Sequence, residues 1–155
     1  MPALGMFESF DISASALRAE RLRMSVIANN LANVSTTRGP DGRVAPYRRK
    51  QVLFSQGAPG LTGSKELGVS FAGVLEDATP FRRVYRPGHP DAVTVEDLRT
   101  NPSLGPEDLG YVLQPNVEMP LEMVDMIEAS RAYEANVTVM SLSKGLVQSV
   151  LEVLA

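Results

Sequence analysis

The sequence predicts an α+β fold: long N- and C-terminal helices forming a coiled-coil-like inner layer, joined by a small β-rich, Pro/Gly-rich middle region. Two observations predict the helices. Apolar residues recur every seven positions near both ends, and no Gly or Pro interrupts the chain between Met6 and Arg38. A third predicts the middle. Short apolar runs alternate there with turn formers, and the seven prolines from Pro80 to Pro120 exclude a long helix.

The first helix is expected over residues 6–34. Phe10, Leu17, Met24 and Leu31 form its main seam, while Ile27 and Val34 belong to a second that Ser13 and Glu20 interrupt. After it, TTRGPDGRVAPYRR reads as a loop, with Pro40-Asp41-Gly42 the strongest turn signal. QVLF, GVSFAGVLE and FRRVYRP read as strands, the last two joined by a hairpin turn at Asp77-Ala78-Thr79-Pro80. Residues 93–109, VTVEDLRTNPSLGPEDL, read as an irregular excursion with room for one helical turn. Their prolines and acids predict an exposed segment that the helical core can do without. Lengthening a surface loop costs only about 0.6 kcal/mol per doubling. No internal repeat is visible.

The last helix is expected to start at Pro120, a residue suited to a first helical turn, with Glu118, Glu122 and Asp125 near the positive end of its dipole. Met126, Tyr133, Met140, Val147 and Leu154 keep a seven-residue spacing. Met123, Val137 and Leu151 supply most of a flanking seam, broken by Ser130 and Lys144. At about 1.5 Å per residue, roughly 36 residues make a rod of roughly 54 Å.

The expected intra-subunit seam is therefore Leu17, Met24, Ile27 and Leu31 against Met126, Tyr133, Met140, Val147 and Leu154. With the helices antiparallel and Val34 beside Val117, Arg18, Arg21 and Arg23 come within a turn or so of Glu128 and Glu134. Such exposed pairs would set register more than stability. The domain division is residues 1–36 with 116–155 for the terminal helices, and 37–115 for the outer middle region.

The last helix is apolar over more than the single stripe that one partner covers. Leu142, Leu146, Val150 and Val153 form a second set, rotated well away from the seam. Burying a large apolar side chain is worth about 1.5–3 kcal/mol, so this face requires another neighbour. A membrane is a poor one. Lys144 would sit mid-span at about 2.5–3.5 kcal/mol, with Glu152, Gln148 and three serines adding to that. The rest of the chain is too small to surround the helix, which leaves contact with other protein chains.

Composition narrows the chemistry. Without Cys there is no disulfide, thiolate metal site or cysteine nucleophile. With His89 as the single histidine, a multi-His metal site is also out of reach, and no cofactor is expected. The basic residues are too few, and too far from aromatics, for a nucleic-acid surface. The net charge of −3 divides into +4 over residues 1–50 and −7 over residues 51–155, which is solvated surface or mutual attraction of the ends. No nucleophile is signalled beside His89 and Asp91, so this histidine reads as a loop residue. The first residues lack the basic start and long apolar core of a cleaved signal peptide. Absence of Cys suits a reducing cytoplasm and export of an unfolded chain alike.

Several segments together resemble a known family. MSVIANNLANVSTTRGPDGRVAPYRRKQVLF is similar to the N-terminal signature of the bacterial flagellar axial proteins of rod and hook, in which an ANNLANVST-like run ends the first helix. Its long continuation resembles the proximal-rod members more than the distal rod or hook proteins, where a short TGYK-type sequence is usual. YRPGHPDA, GYVLQPNVEM and MVDMIEASRAYEANV resemble the same proteins in the same order, and residues 93–109 interrupt the likeness.

The resemblance implies a non-enzymatic structural subunit of the proximal rod, assembled helically through its terminal helices to transmit torque across the periplasm. It implies copies of the chain, other rod proteins and the flagellar type III export apparatus as partners, and export without a cleaved leader. Asn29, Asn30 and Asn33 either fray into a turn at the end of the first helix or, as the resemblance implies, form an amide ladder between subunits. The rival readings are a monomeric or discretely oligomeric coiled-coil adaptor outside the flagellum, and a small hydrolase using His89.

Overall fold

The computed structural model describes residues 2–58 and 67–154, with side chains over 8–57 and 67–152. Its elements run α1 (Pro2–Ala32), β1 (Lys50–Ala58), β2 (Leu67–Glu76), β3 (Arg82–Tyr85), α2 (Val95–Thr100), a 3-10 turn (Pro106–Asp108), β4 (Tyr111–Gln114) and α3 (Met119–Leu154). The class is α+β, as expected: α1 packs on α3, and two antiparallel sheets of two strands each lie between them in sequence.

The helices run antiparallel, since Asn30 meets Glu122 and Met24 meets Ser130. Ile27 and Ala129 are buried between them. Leu17, Met24, Leu31, Met126, Tyr133, Met140 and Val147 are all partly buried, while the side chain of Leu154 lies outside the described residues. The flanking seam of α3 differs from expectation. Met123, Val137 and Leu151 are exposed, whereas Glu122 and Ala129 are buried and Asn136 and Ser143 partly buried. These four share one heptad position. Being small or polar, they carry no apolar periodicity, yet Ala129 lets α1 approach closely and Arg49 draws Glu122 inward.

The β1–β2 hairpin pairs from Lys50↔Glu76 to Ala58↔Leu67, with a bulge at Leu53/Phe54. It lies along α1. At one end the Lys50 N–H donates to Asn30 Oδ1 at 3.0 Å; at the other the Val69 N–H donates to Ser15 Oγ at 3.1 Å. Gly68 makes this docking possible. Its φ is +92°, and a Cβ there would stand 2.2 Å from Ser15 Oγ, so both conformation and space demand glycine. Between the two ends, the Arg23 guanidinium covers the Phe54 ring at 5.4 Å.

Two expectations fail in the middle region. Asp77-Ala78-Thr79-Pro80 is no hairpin turn, because β2 pairs with β1 and β3 with β4. The segment is a connector: Asp77 Oδ1 accepts from the Thr79 N–H at 2.8 Å, and Asn116 Nδ2 donates to the Asp77 and Thr79 carbonyls. Nor are residues 93–109 an exposed excursion. Val93 is 2% exposed and forms the core of the outer body with Val44 and Leu113, with Leu98 and Leu104 packed against it. The Val93 N–H and carbonyl bond the Tyr111 carbonyl and Gly110 N–H. Asn101 Nδ2 donates to the Val44 carbonyl at 3.0 Å, and Arg38 reaches Asp97 at 3.2 Å. The one helical turn for which the sequence left room is α2, capped reciprocally by Thr94 and Asp97; most of the segment's side chains face water, and what the sequence did not show is the inward anchoring through Val93.

Candidate assembly interface

Two features of the helix pair bear on function: an unpartnered flank of α3 and a buried joint that holds the pair to the rest of the chain. On the flank, Val139, Leu142, Leu146 and Val150 follow one another at steps of three and four residues, so they share a face. They are 47%, 65%, 62% and 49% exposed. Among the described residues, nothing buries them. The side chain of Val153 lies outside the described residues.

The joint is built from residues that apolar periodicity does not detect. Arg49, just before β1, donates through Nε to Glu122 Oε1 and through Nη2 to Asp125 Oδ2 at 2.9 Å. Its backbone N–H donates to Asn116 Oδ1 at 2.8 Å. Glu122 is fully buried, a placement tolerated only because its charge is paired and hydrogen-bonded. Its second oxygen accepts from Asn30 Nδ2 at 2.9 Å. Burial lifts the Tyr47 phenol above the ordinary tyrosine range, and the carboxylates of Glu122 and Glu76 push it further.

Asn30 is therefore not part of a ladder between subunits. Its Nδ2 donates to Glu122 and to the Lys50 carbonyl, and its Oδ1 accepts from the Tyr47 hydroxyl and the Lys50 N–H. Two donors and two acceptor sites are all that an amide has, so none is left for a neighbour. Asn29 donates to the Ser25 carbonyl within α1; Asn33, in the turn that follows the helix, donates to the Asn29 carbonyl, and its Oδ1 accepts from the Thr36 hydroxyl.

The expected arginine pairs across the helices do not form among the described residues. Arg23 instead lies 3.5 Å from Glu20 on its own helix, and Arg18 and Arg21 face solvent. One sequence signal for the joint did exist. Glu122 stands seven residues before Ala129 and fourteen before Asn136, on an inward heptad position where a carboxylate requires a buried cation.

His89 borders a groove of about 830 Å³ between the outer body and the start of α3. Its Nδ1 accepts from the Asp91 N–H at 3.1 Å, which fixes the loop. Among the described residues, no cluster of acidic or histidine side chains could hold a metal ion. No described helix is long and apolar enough to cross a membrane.

Comparison with known proteins identifies the architecture. Residues 10–40 match the model for flagella basal body rod proteins, and residues 109–153 that for the C-terminal part of flagellar basal body rod FlgEFG proteins. Three relatives carry the description flagellar basal-body rod protein FlgC. That of Borreliella burgdorferi is 40% identical over 97% of this chain and 99% of its own length. That of Bacillus subtilis is 38% identical over 95% and 97%, and that of Salmonella typhimurium 41% over 92% and 93%. With identity of this order over nearly the whole of both chains, and both helix regions matched, the chain belongs to the flagellar basal-body rod protein FlgC family.

Proposed function

We propose that the chain builds the rod by laying the exposed flank of α3 against neighbouring copies and other rod proteins, in a helical array that transmits torque. Membership of the family makes it a structural subunit of the flagellar basal body and not an enzyme. The observation that carries the proposal is the exposed run Val139, Leu142, Leu146 and Val150, which lies to one side of the seam that α3 makes with α1. Burying these side chains between subunits is worth about 1.5–3 kcal/mol each. The inner part comprises residues 1–36 and 116–155, and the β1–β2 hairpin joins it by lying on α1. The chain reaches the rod through the flagellar export apparatus.

Leu146→Asp and Val150→Asp test this reading. Each places a charge in a dry interface at a cost of several kcal/mol, so rods should fail to form and cells should not swim. Because both residues are exposed in the subunit, the outer body should keep its fold. Normal rods and motility in both variants would refute the assignment.

A further inference from the structure

In the outer body, β3 has one edge paired and one edge bare. The Arg86 N–H donates to the Gly110 carbonyl at 3.1 Å, while the Tyr111 carbonyl, opposite Tyr85, turns away to accept from the Val93 N–H at 2.9 Å. Hydrogen-bonded and non-bonded pairs alternate along an antiparallel ladder. Arg82 and Val84 therefore bond to β4, as Arg86 bonds to Gly110, and the backbone N–H and carbonyl groups of Arg83 and Tyr85 point outward. Among the described residues nothing partners these outward groups, and Tyr85 is 63% exposed. A bare edge of this kind is a template for a further strand. The side chains select which strand. Arg82, Val84 and Arg86 alternate along the chain and share one face, which borders the groove beside His89. Both arginines are exposed, and among the described residues neither meets a carboxylate. Of the two acids on that groove, Asp91 is held by Arg38 at 3.4 Å, and Glu118 stands exposed before α3. On the other face Arg83 is already paired with Asp108 at 3.2 Å.

We propose that β3 accepts, as a third strand beside β4, an extended acidic segment of another protein. The segment carries a carboxylate, an apolar residue and a second carboxylate at alternate positions. Its acids then lie across from Arg82 and Arg86 and its apolar residue across from Val84, the cross-strand pairing that stabilises a sheet. Its main chain bonds the outward groups of Arg83 and Tyr85. Charge decides against a second copy of this chain. In either strand direction, a second β3 centred on Val84 sets arginine against arginine, and like charges directly opposite are destabilising. Nor does the chain supply the acidic strand from elsewhere. Its carboxylates stand four residues apart only at Glu118 and Glu122, and there Glu122 is buried in α3. A cationic edge of this kind repels its own copies and admits an acidic strand.

Two capped peptides, TETVTET and TKTVTKT, test this against the isotope-labelled full chain, with binding and amide hydrogen exchange both followed by NMR. The acidic peptide should bind, and it should slow exchange at the Arg83 and Tyr85 amides. The lysine peptide should bind about tenfold more weakly or worse, since two attractive cross-strand pairs become repulsive. The double variant Arg82→Glu with Arg86→Glu should reverse that preference. Both side chains are exposed, so the outer body should keep its fold, checked by unchanged exchange at the buried Val93 amide. Equal binding of the two peptides would overturn the proposal, as would binding of neither at millimolar concentration. Acidic-peptide binding that leaves the Arg83 and Tyr85 amides unprotected would overturn it too, by showing an ionic contact without strand addition.

Discussion

Arg49→Met withdraws the cation from the joint while keeping most of its apolar stem. Glu122 is fully buried and has two partners, Arg49 and Asn30. Without the guanidinium it keeps one neutral hydrogen bond from Asn30. Removing one partner of a buried ion pair costs about 3–5 kcal/mol, because the other charge is left uncompensated. That is at least about a fifth, and up to the whole, of the roughly 5–15 kcal/mol that stabilises an ordinary domain. Asp125 holds the shallower arm, its side chain 33% exposed, so Asp125→Asn should cost no more than about 1 kcal/mol. The double variant Arg49→Met with Glu122→Met replaces both charges by apolar groups of similar bulk and should recover most of the loss. Urea unfolding of the wild type, these three variants and Glu122→Met alone, followed by far-ultraviolet circular dichroism, measures each value and the coupling of Arg49 to Glu122. If Arg49→Met costs less than about 1 kcal/mol, or the double variant is no better than the single, Glu122 is not held as described. The joint would then not be what fixes α3 beneath β1.

Other expected outcomes follow from the same geometry. Gly68→Ala forces a side chain into positive φ and against Ser15, a strain of about 1–3 kcal/mol. Hydrogen exchange at the Val69 amide should accelerate, and unchanged exchange would remove Ser15 as the hairpin's anchor. Leu113→Ala should cost about 2–5 kcal/mol, and replacing residues 93–109 by a Gly/Ser linker should leave the outer body unfolded; a folded, protease-resistant product would show that Val93 is dispensable. Asp97 titrates below the ordinary carboxylate range: burial alone would raise it, but hydrogen bonds from the Thr94 hydroxyl and N–H, with the Arg38 guanidinium, outweigh that. Its stabilisation is therefore complete above the unfolded value of about 3.9 and is lost as pH falls through the lower folded value. The outer body should loosen in that acid window, and Asp97→Asn should flatten the corresponding part of a plot of denaturation midpoint against pH.

The sequence alone determined the two long helices, because a seven-residue apolar repeat without Gly or Pro admits few other structures. It also determined that α3 has more apolar surface than α1 can cover, since Leu142 and Leu146 are rotated away from Met140 and Val147 whatever the partner. It did not determine how polar residues are spent. Asn30, Arg49 and Glu122 are scattered over 92 positions, and each by itself reads as a surface or helix-end residue. Tertiary structure brought them together and buried them, since a carboxylate enters an interior only where a specific cation meets it. The same applies to strand pairing. β2 could join the strand before it or the one after it, and local sequence favours the short turn at Asp77–Pro80. The decision went to β1 because the resulting hairpin also packs along α1, from Ser15 to Asn30, a gain visible only once the helix is in place. Residues 93–109 are the clearest case: prolines and acids describe the side that faces water, while the few apolar groups that face inward, above all Val93, acquire meaning only from Val44 and Leu113, which come from distant parts of the chain.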